Sequence, residues 1–389
     1  MSRRFDAAVV GAGPAGSALA AGLARRGASV LLLEANAHPR PKACAEYASP
    51  RIVEELERMG LAPDAWRPAA VPLRGMDLYA GGHRVRMSSA DRLGPRSAWG
   101  LDRRCFDARL AEHAAACGAI LEERARVVGL VGGDDLVRGV RVRRADGKEE
   151  AVRAEVVVGA DGARSTVARL LRVDAPVRAP RRLGLVAHYE RVDDLEDHGE
   201  MHAARGWYVG LAPVPGALNV GMALPLDRAR PAEARFSAAI AALPAVAERL
   251  GASRRIGPIR GAAPIGHRVR QVAGSGWLLI GDAAGFVDPF TGEGIHRALR
   301  GARAAADAIL ADGDVAAAYR RERRRAFAAK EALSWLVQGV LSAPGLLGHA
   351  VARLESRPSA AGRLGSALAD CRPASDAFSP RAVWEVLGP

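Results

Sequence analysis

Apolar and polar positions follow two rhythms along this chain. Near the N-terminus a short apolar run, residues 5–10, gives way to a glycine turn. A stretch of small and apolar residues, 14–26, then fits a helix closed by Gly27. A second apolar run, 29–33, ends on Glu34. Further on, a period of two dominates. Residues 76–79 and 83–87 flank Gly81-Gly82 and predict a hairpin. Strands are expected over 119–128, 137–142, 151–158, 183–191, 200–211 and 218–224, and helices over 50–59, 106–117 and 231–250. Residues 276–280 read as a buried strand, and the last hundred residues read as helical.

The first of these units carries a spacing with a physical purpose. Gly11-Ala12-Gly13-Pro14-Ala15-Gly16 sits between a strand and a helix, and Glu34 closes the following strand. Gly11 permits a tight turn, Gly13 lets backbone approach a pyrophosphate, and Gly16 lets helix and strand pack closely. Pro14 and Ala15 open a helix whose N-terminus faces the negative charge. Glu34 can accept from a ribose diol. This strand–turn–helix–strand–acid series predicts a dinucleotide-binding unit.

Composition adds limits. With 389 residues, 49% of them apolar, the chain can hold two domains and a large core. Four cysteines, Cys44, Cys105, Cys117 and Cys371, form no Cys-x-x-Cys pair, and the nine histidines show no ligand spacing. The chain therefore reads as neither a disulfide framework nor a zinc site, and no metal is expected. The formal charge of +13 is almost all arginine; the only lysines are Lys42, Lys148 and Lys330. No nucleic-acid motif accompanies it. Ser2-Arg3-Arg4 superficially resembles an export signal, but the apolar stretch behind it is the phosphate loop itself. No run reaches the roughly 20 apolar residues of a membrane span. The nearest, 333–351, is broken by Ser342-Ala343-Pro344-Gly345. A cytoplasmic location is expected, with peripheral membrane contact left open. Arg320 to Arg325 read first as a solvated helix face, with an acidic carrier protein or a membrane as the alternative partner.

Two later segments extend the argument. One is Val158-Gly159-Ala160-Asp161-Gly162-Ala163-Arg164-Ser165. The other is Gly281-Asp282-Ala283-Ala284-Gly285, leading through Pro289-Phe290-Thr291-Gly292-Glu293-Gly294-Ile295. With Arg103-x-x-Phe106-Asp107, they make the chain resemble the FAD-dependent oxidoreductases of the p-hydroxybenzoate hydroxylase-like superfamily. That resemblance implies bound FAD. Gly11, Gly13, Pro14, Ala15, Gly16, Glu34, Arg103, Asp161, Gly162, Asp282, Pro289, Gly292, Gly294 and Ile295 are its expected contacts. A carboxylate at Asp282, at the end of an apolar strand, suits the ribityl hydroxyls. The helix starting near Gly294 aims its positive end at the ring. No second phosphate fingerprint is present, so NAD(P)H would bind only transiently as electron donor.

The expected fold is α/β: a doubly wound FAD-binding (Rossmann-like) domain with an inserted antiparallel β-sheet substrate domain and C-terminal helices. The FAD domain takes 1–70, 100–175 and 275–330, the substrate domain 71–99 and 176–274, and the helical region 331–389.

Other residues resemble the geranylgeranyl reductase family. Pro41-Lys42-Ala43-Cys44-Ala45-Glu46-Tyr47 is similar to its Pro-Lys-x-Cys-Gly segment, with alanine where glycine is usual. Trp207-Tyr208-Val209-Gly210-Leu211-Ala212-Pro213 is similar to its Tyr-x-Trp-x-Phe-Pro strand. Cys44 and Glu46 are candidate catalytic groups. Tyr47, Trp207 and Tyr208 are candidate substrate contacts, with only one of the last two able to face a pocket. His83, His188 and His202, on expected strands, read as structural. The reading favours a monooxygenase using NAD(P)H and O2 on a small apolar aromatic, polyketide or isoprenoid substrate, free or carrier-bound. The alternative is a geranylgeranyl reductase-like reduction of C=C bonds. A halogenase fits less well, because Trp-x-Trp-x-Ile-Pro is absent, and a non-catalytic FAD-binding electron-transfer module stays open.

Overall fold

Two eight-stranded sheets organise the chain in a computed structural model, described here for residues 4–133, 136–177, 179–192, 197–227 and 229–388. Ser2 and Arg3 lie outside the described residues. The first sheet runs in the order Arg126–Gly133, Leu136–Arg143, Glu149–Gly159, Arg4–Val10, Val30–Leu33, Ile120–Glu122, with Trp277–Leu279 also paired to Glu149–Gly159. Its centre is parallel: Val9 lies opposite both Val158 and Leu32, and Val158 opposite Leu278. These four face one buried cluster with Leu19 and Leu23 of the helix Pro14–Ala24. Their neighbours Ala8, Leu31, Val157 and Leu279 face a second cluster on the other side. Burial on both faces explains why these strands read as unbroken apolar runs.

The second sheet has the order Arg254–Ala262, Arg182–Glu190, Ala217–Pro225, Trp207–Val214, Gly199–Ala204, Gly75–Ala80, His83–Asp91, Gly94–Arg96. All its pairs are antiparallel except Gly199–Ala204 with Gly75–Ala80, where the chain re-enters the sheet beside the hairpin. Helices Ala232–Ala241 and Pro244–Leu250 cover one face through Phe236 and Val246. The C-terminal helices Val315–Ser342, Pro344–Glu355 and Pro358–Leu368 cover the other, packing Leu341, Leu347, Val351 and Ala361 on Leu78, Val85 and Met87.

Three expected elements divide. The run 200–211 is two strands, because Arg205-Gly206 turns the chain and sets Ala204 opposite Trp207. The run 231–250 is two helices, because Pro244 cannot continue the first. The run 119–128 is broken at Arg124, which takes a left-handed conformation (φ +54). Among the described residues no single helix is long and apolar enough to cross a membrane.

Candidate active site

The glycine turn forms a cradle at the C-terminal edge of the first sheet. Gly11 has φ +102, and a Cβ there would lie 2.7 Å from the Ala160 carbonyl. A Cβ on Gly16 would lie 1.8 Å from the Gly11 carbonyl. Both glycines are needed for chain packing. Gly13 is different: a Cβ there would meet nothing within 4 Å. It faces open space in front of a helix whose N-terminus no side chain caps. Free N–H groups behind an unobstructed backbone make an anion site. Glu34 is buried beside it, its carboxylate accepting from the Ala12 N–H at 3.1 Å and from Arg40 at 3.1 Å.

A second set of backbone groups converges on the same edge. Gly281 (φ +57) lies close to Ala15, so a Cβ there would be 2.9 Å from the Ala15 methyl, and Asp282 follows it at the end of Trp277–Leu279. Asp288 caps the turn Pro289–Thr291 through the Phe290 N–H at 3.0 Å, and Gly292 closes it in the left-handed region at φ +65. The helix Gly294–Leu310 starts without a side-chain cap, and Ile295 is buried beneath it. The Thr291 hydroxyl is shielded from solvent and without a partner among the described residues. Two uncapped helix starts, an open glycine and an orphaned hydroxyl suit a long, phosphate-bearing cofactor such as FAD. A cleft of about 380 Å³ near Glu155, Gly276, Asp314 and Arg320 lies at the opposite end of the Trp277–Leu279 strand. Nucleotides bind at the carboxyl ends of such strands, so that cleft is not the site.

Two expected FAD contacts already have partners within the chain. The Asp161 carboxylate accepts from Ser165 Oγ, from the Thr166 N–H at 2.6 Å and from the Val167 N–H at 3.2 Å. It thus caps the helix Thr166–Leu170, while burial pushes its carboxyl above the ordinary range. Gly162 beside it turns at φ +80. Arg103 is buried. It holds Asp107 through Nε and Nη2, both at 2.8 Å, and donates to Cys44 Sγ at 3.2 Å.

Around Cys44 the chain has built a polar cluster. Glu46 is buried with φ +59 and its N–H donates to Cys44 Sγ at 3.4 Å. Its carboxylate lies 2.7 Å from His188 Nε2 and accepts from Asn219 Nδ2 at 3.0 Å and from the Arg103 N–H at 3.3 Å. Asn219 Nδ2 also donates to the Cys44 carbonyl at 3.0 Å, and its Oδ1 is buried without a partner among the described residues. Donating to the Glu46 carboxylate raises the His188 imidazole above its ordinary value. His188 and Asn219 were not recognised as site residues. They are cross-strand partners, and only the register between Arg182–Glu190 and Ala217–Pro225 brings them together.

Tyr47 joins the two regions. A Cβ on Gly292 would lie 2.5 Å from the Tyr47 ring, and burial pushes its phenol up. Beyond it lies an apolar pocket lined by Met76, Leu78, Met87, Met201, Phe290 and Leu368. Trp207 and Tyr208 do not line it. Trp207 points to the opposite face of the sheet, against the cluster of Leu185 and Val209. Tyr208 stands edge-on to Phe290 at 5.1 Å, its hydroxyl bonded to Asp288, which also pairs with Arg182 at 2.6 Å.

The comparisons make the chain a flavin-dependent oxidoreductase. Residues 4–331 match the family described as FAD binding domain, and the chain belongs to it. The chain is 30% identical over 333 residues to the digeranylgeranylglycerophospholipid reductase of Methanosarcina mazei, covering 81% of this chain and 78% of that protein. It is 32% identical over 330 residues to the menaquinone reductase of Mycolicibacterium smegmatis, covering 80% and 78%. Among solved structures, a geranylgeranyl bacteriochlorophyll reductase-like protein from Thermoplasma acidophilum superposes with a TM-score of 0.81 at 22% identity, covering 98% of each chain. A flavin-dependent brominase gives 0.80 at 22% identity, covering 96% and 99%. At that identity the two structures speak for the fold alone. The geranylgeranyl reductase-like character expected from Cys44 and its neighbours is in line with relatives named as reductases.

Proposed function

We propose that the protein reduces C=C bonds in an apolar, isoprenoid-type chain, with NAD(P)H as transient electron donor. Of the two outcomes the sequence left open, the named activities of its relatives support this one rather than oxygen insertion. The observation that supports the reading is the polar cluster around Cys44, in the same segment as Tyr47, whose ring packs on Gly292 and lines the apolar pocket.

Gly11, Gly13, Pro14, Ala15, Gly16 and Glu34 would hold the adenosine and pyrophosphate half of FAD. Asp282, Pro289, Gly292, Gly294 and Ile295 would hold the ribityl and ring half. When bound, FAD supplies the hydride. The chain supplies the proton, and Cys44 Sγ is the donor in this reading. The Arg103 guanidinium and the Glu46 N–H both point at that sulfur, so the negative charge left on it is met by two donors. Glu46, His188 and Asn219 hold the Cys44 segment and keep a titratable imidazole next to it. The pocket measures about 40 Å³, so Met76, Met87 and Met201, flexible apolar side chains, would have to rearrange to admit the substrate chain and exclude water around it.

The test is the product mass from FAD-loaded protein given NADPH and polyprenyl lipids or polyprenyl quinones. A gain of two hydrogens is expected, and a gain of one oxygen or no change overturns the proposal. Cys44→Ser is expected to lower turnover by about 10²-fold or more while FAD stays bound. Asp282→Ala is expected to purify colourless.

A further inference from the structure

The helix Val315–Ser342 changes character halfway along its solvent face. Its first half exposes Arg321, Arg324 and Arg325; from Ala328 to Ser342 every exposed position is Ala, Trp, Leu, Gly or Ser. A helix facing water normally carries charge there. Instead Trp335 is 49% and Leu336 42% exposed, and the uncharged stretch runs on to Leu346, 38% exposed, in the helix Pro344–Glu355. The last helix, Pro380–Leu387, packs on Pro344–Glu355 and adds Trp384, 56% exposed. Arg353 and Arg357 stack over the Trp384 ring at 5.7 and 5.1 Å. Nε and Nη2 of Arg353 are shielded from solvent yet find no acceptor among the described residues.

We propose that this face is an interfacial anchor that lays the protein on an anionic phospholipid surface. Exposed tryptophan and leucine suit the headgroup level of a bilayer, and guanidinium groups at both ends of the stripe suit lipid phosphates. The exposed Arg321, Arg324 and Arg325 give the stripe a cationic edge that an anionic lipid surface complements. A second copy would bring another chain of net charge +13 against this one. The inner face of the same helices is buried through Leu333, Leu341, Leu347 and Val351, so the outer face is not needed for folding. The anchor does not depend on which reaction the site performs.

The experiment is sedimentation of the FAD-loaded full chain with vesicles of phosphatidylcholine alone or of phosphatidylcholine with phosphatidylglycerol. Binding is expected with the anionic vesicles and to weaken as salt rises. Trp335→Ser with Leu336→Ser is expected to reduce partitioning about tenfold or more, with flavin absorbance and Tm unchanged. Arg321→Gln with Arg324→Gln is expected to weaken binding to the anionic vesicles and flatten its salt dependence. Wild-type protein that stays in the supernatant with anionic vesicles overturns the proposal. So does a double variant that binds like wild type, or a wild-type dimer in light scattering that the double variant turns into a monomer.

Discussion

Glu46 adopts a left-handed backbone conformation that costs a non-glycine residue free energy, and that conformation brings its carboxylate to His188 while its N–H reaches Cys44. The pairing has a pH signature. Because Glu46 raises the folded-state pKa of His188, the pair contributes stability that is fully present below the imidazole's ordinary value of about 6.5. That contribution is lost as pH rises through the raised folded value. Glu46→Gln is therefore expected to destabilise the apoprotein by about 1–3 kcal/mol in mildly acidic solution, with the difference narrowing in alkaline solution. Urea unfolding across a pH series measures it, and a difference that stays constant with pH contradicts the pairing. Cys44, Glu46 and Tyr47 were legible in the sequence because they are contiguous in one motif. His188 and Asn219 were not, since two residues 31 positions apart meet only when strand register is known. Arg103 was visible as part of a motif, but its partners were not, because its i,i+4 pairing with Asp107 depends on helix Arg103–Ala116 beginning at the Asp102 cap.

At the scale of elements, the strand–turn–helix unit was the most legible part, since each of its glycines has a distinct steric duty. The duties predict opposite phenotypes. Gly16→Ala places a methyl against the Gly11 carbonyl and is expected to destabilise the fold itself. Gly13→Val places its side chain in open space, on a backbone at φ −80 and ψ −174 that valine accepts readily. It is expected to keep the apoprotein Tm within a few degrees while blocking the pyrophosphate, so that the protein folds and purifies without FAD. Thermal melts with paired absorbance spectra separate the two, and a yellow Gly13→Val protein would remove that loop from the cofactor site.

The loop from Asp288 to Gly294, the proposed flavin contact, has a second support that no local pattern announced. Lys330, buried on the helix Val315–Ser342, lies 3.0 Å from Glu293 and 3.1 Å from Asp370. Burial lowers the lysine, but Asp370 and Glu293 outweigh it and hold the ammonium above its ordinary value. Burial raises Asp370 in turn, and Lys330 and His296 overcome it to keep that carboxyl well below the usual range. Lys330→Met removes the cation that Glu293 and Asp370 share, leaving Glu293 with Arg297 at 3.6 Å and Asp370 with His296 at 2.9 Å. A loss of about 3–5 kcal/mol is expected, together with faster FAD dissociation because Glu293 sits between Gly292 and Gly294. Denaturant titration and flavin release on dilution are the measurements, and a variant with wild-type values for both would show the network to be idle.

For the molecule as a whole, hydrophobic periodicity disclosed the strands but not their neighbours. Gly75–Ala80 pairs with Gly199–Ala204, more than a hundred residues later, in the one parallel pair of the second sheet. The C-terminal helices read as a region of their own, yet Pro344–Glu355 and Pro358–Leu368 complete the core over His83–Asp91, where Gly365 packs so closely that a Cβ would lie 2.7 Å from the Ser88 carbonyl. Asp370, beyond those helices, reaches back to the Lys330 that steadies the flavin loop. Sheet, pocket wall and cofactor loop are therefore one cooperative structure. Ending the chain after Ser342 would uncover Leu78, Val85 and Met87 and strip Lys330 of one of its two carboxylates. Each of those apolar side chains is worth about 1.5–3 kcal/mol of burial, so the combined loss approaches the whole stability of a typical domain. The shortened chain is expected to accumulate as insoluble, colourless protein rather than as a soluble enzyme lacking only its tail. Soluble yield and bound-flavin content report the outcome. A soluble, yellow truncated protein with the wild-type Tm would mean that the helices rest on the sheet without completing its core.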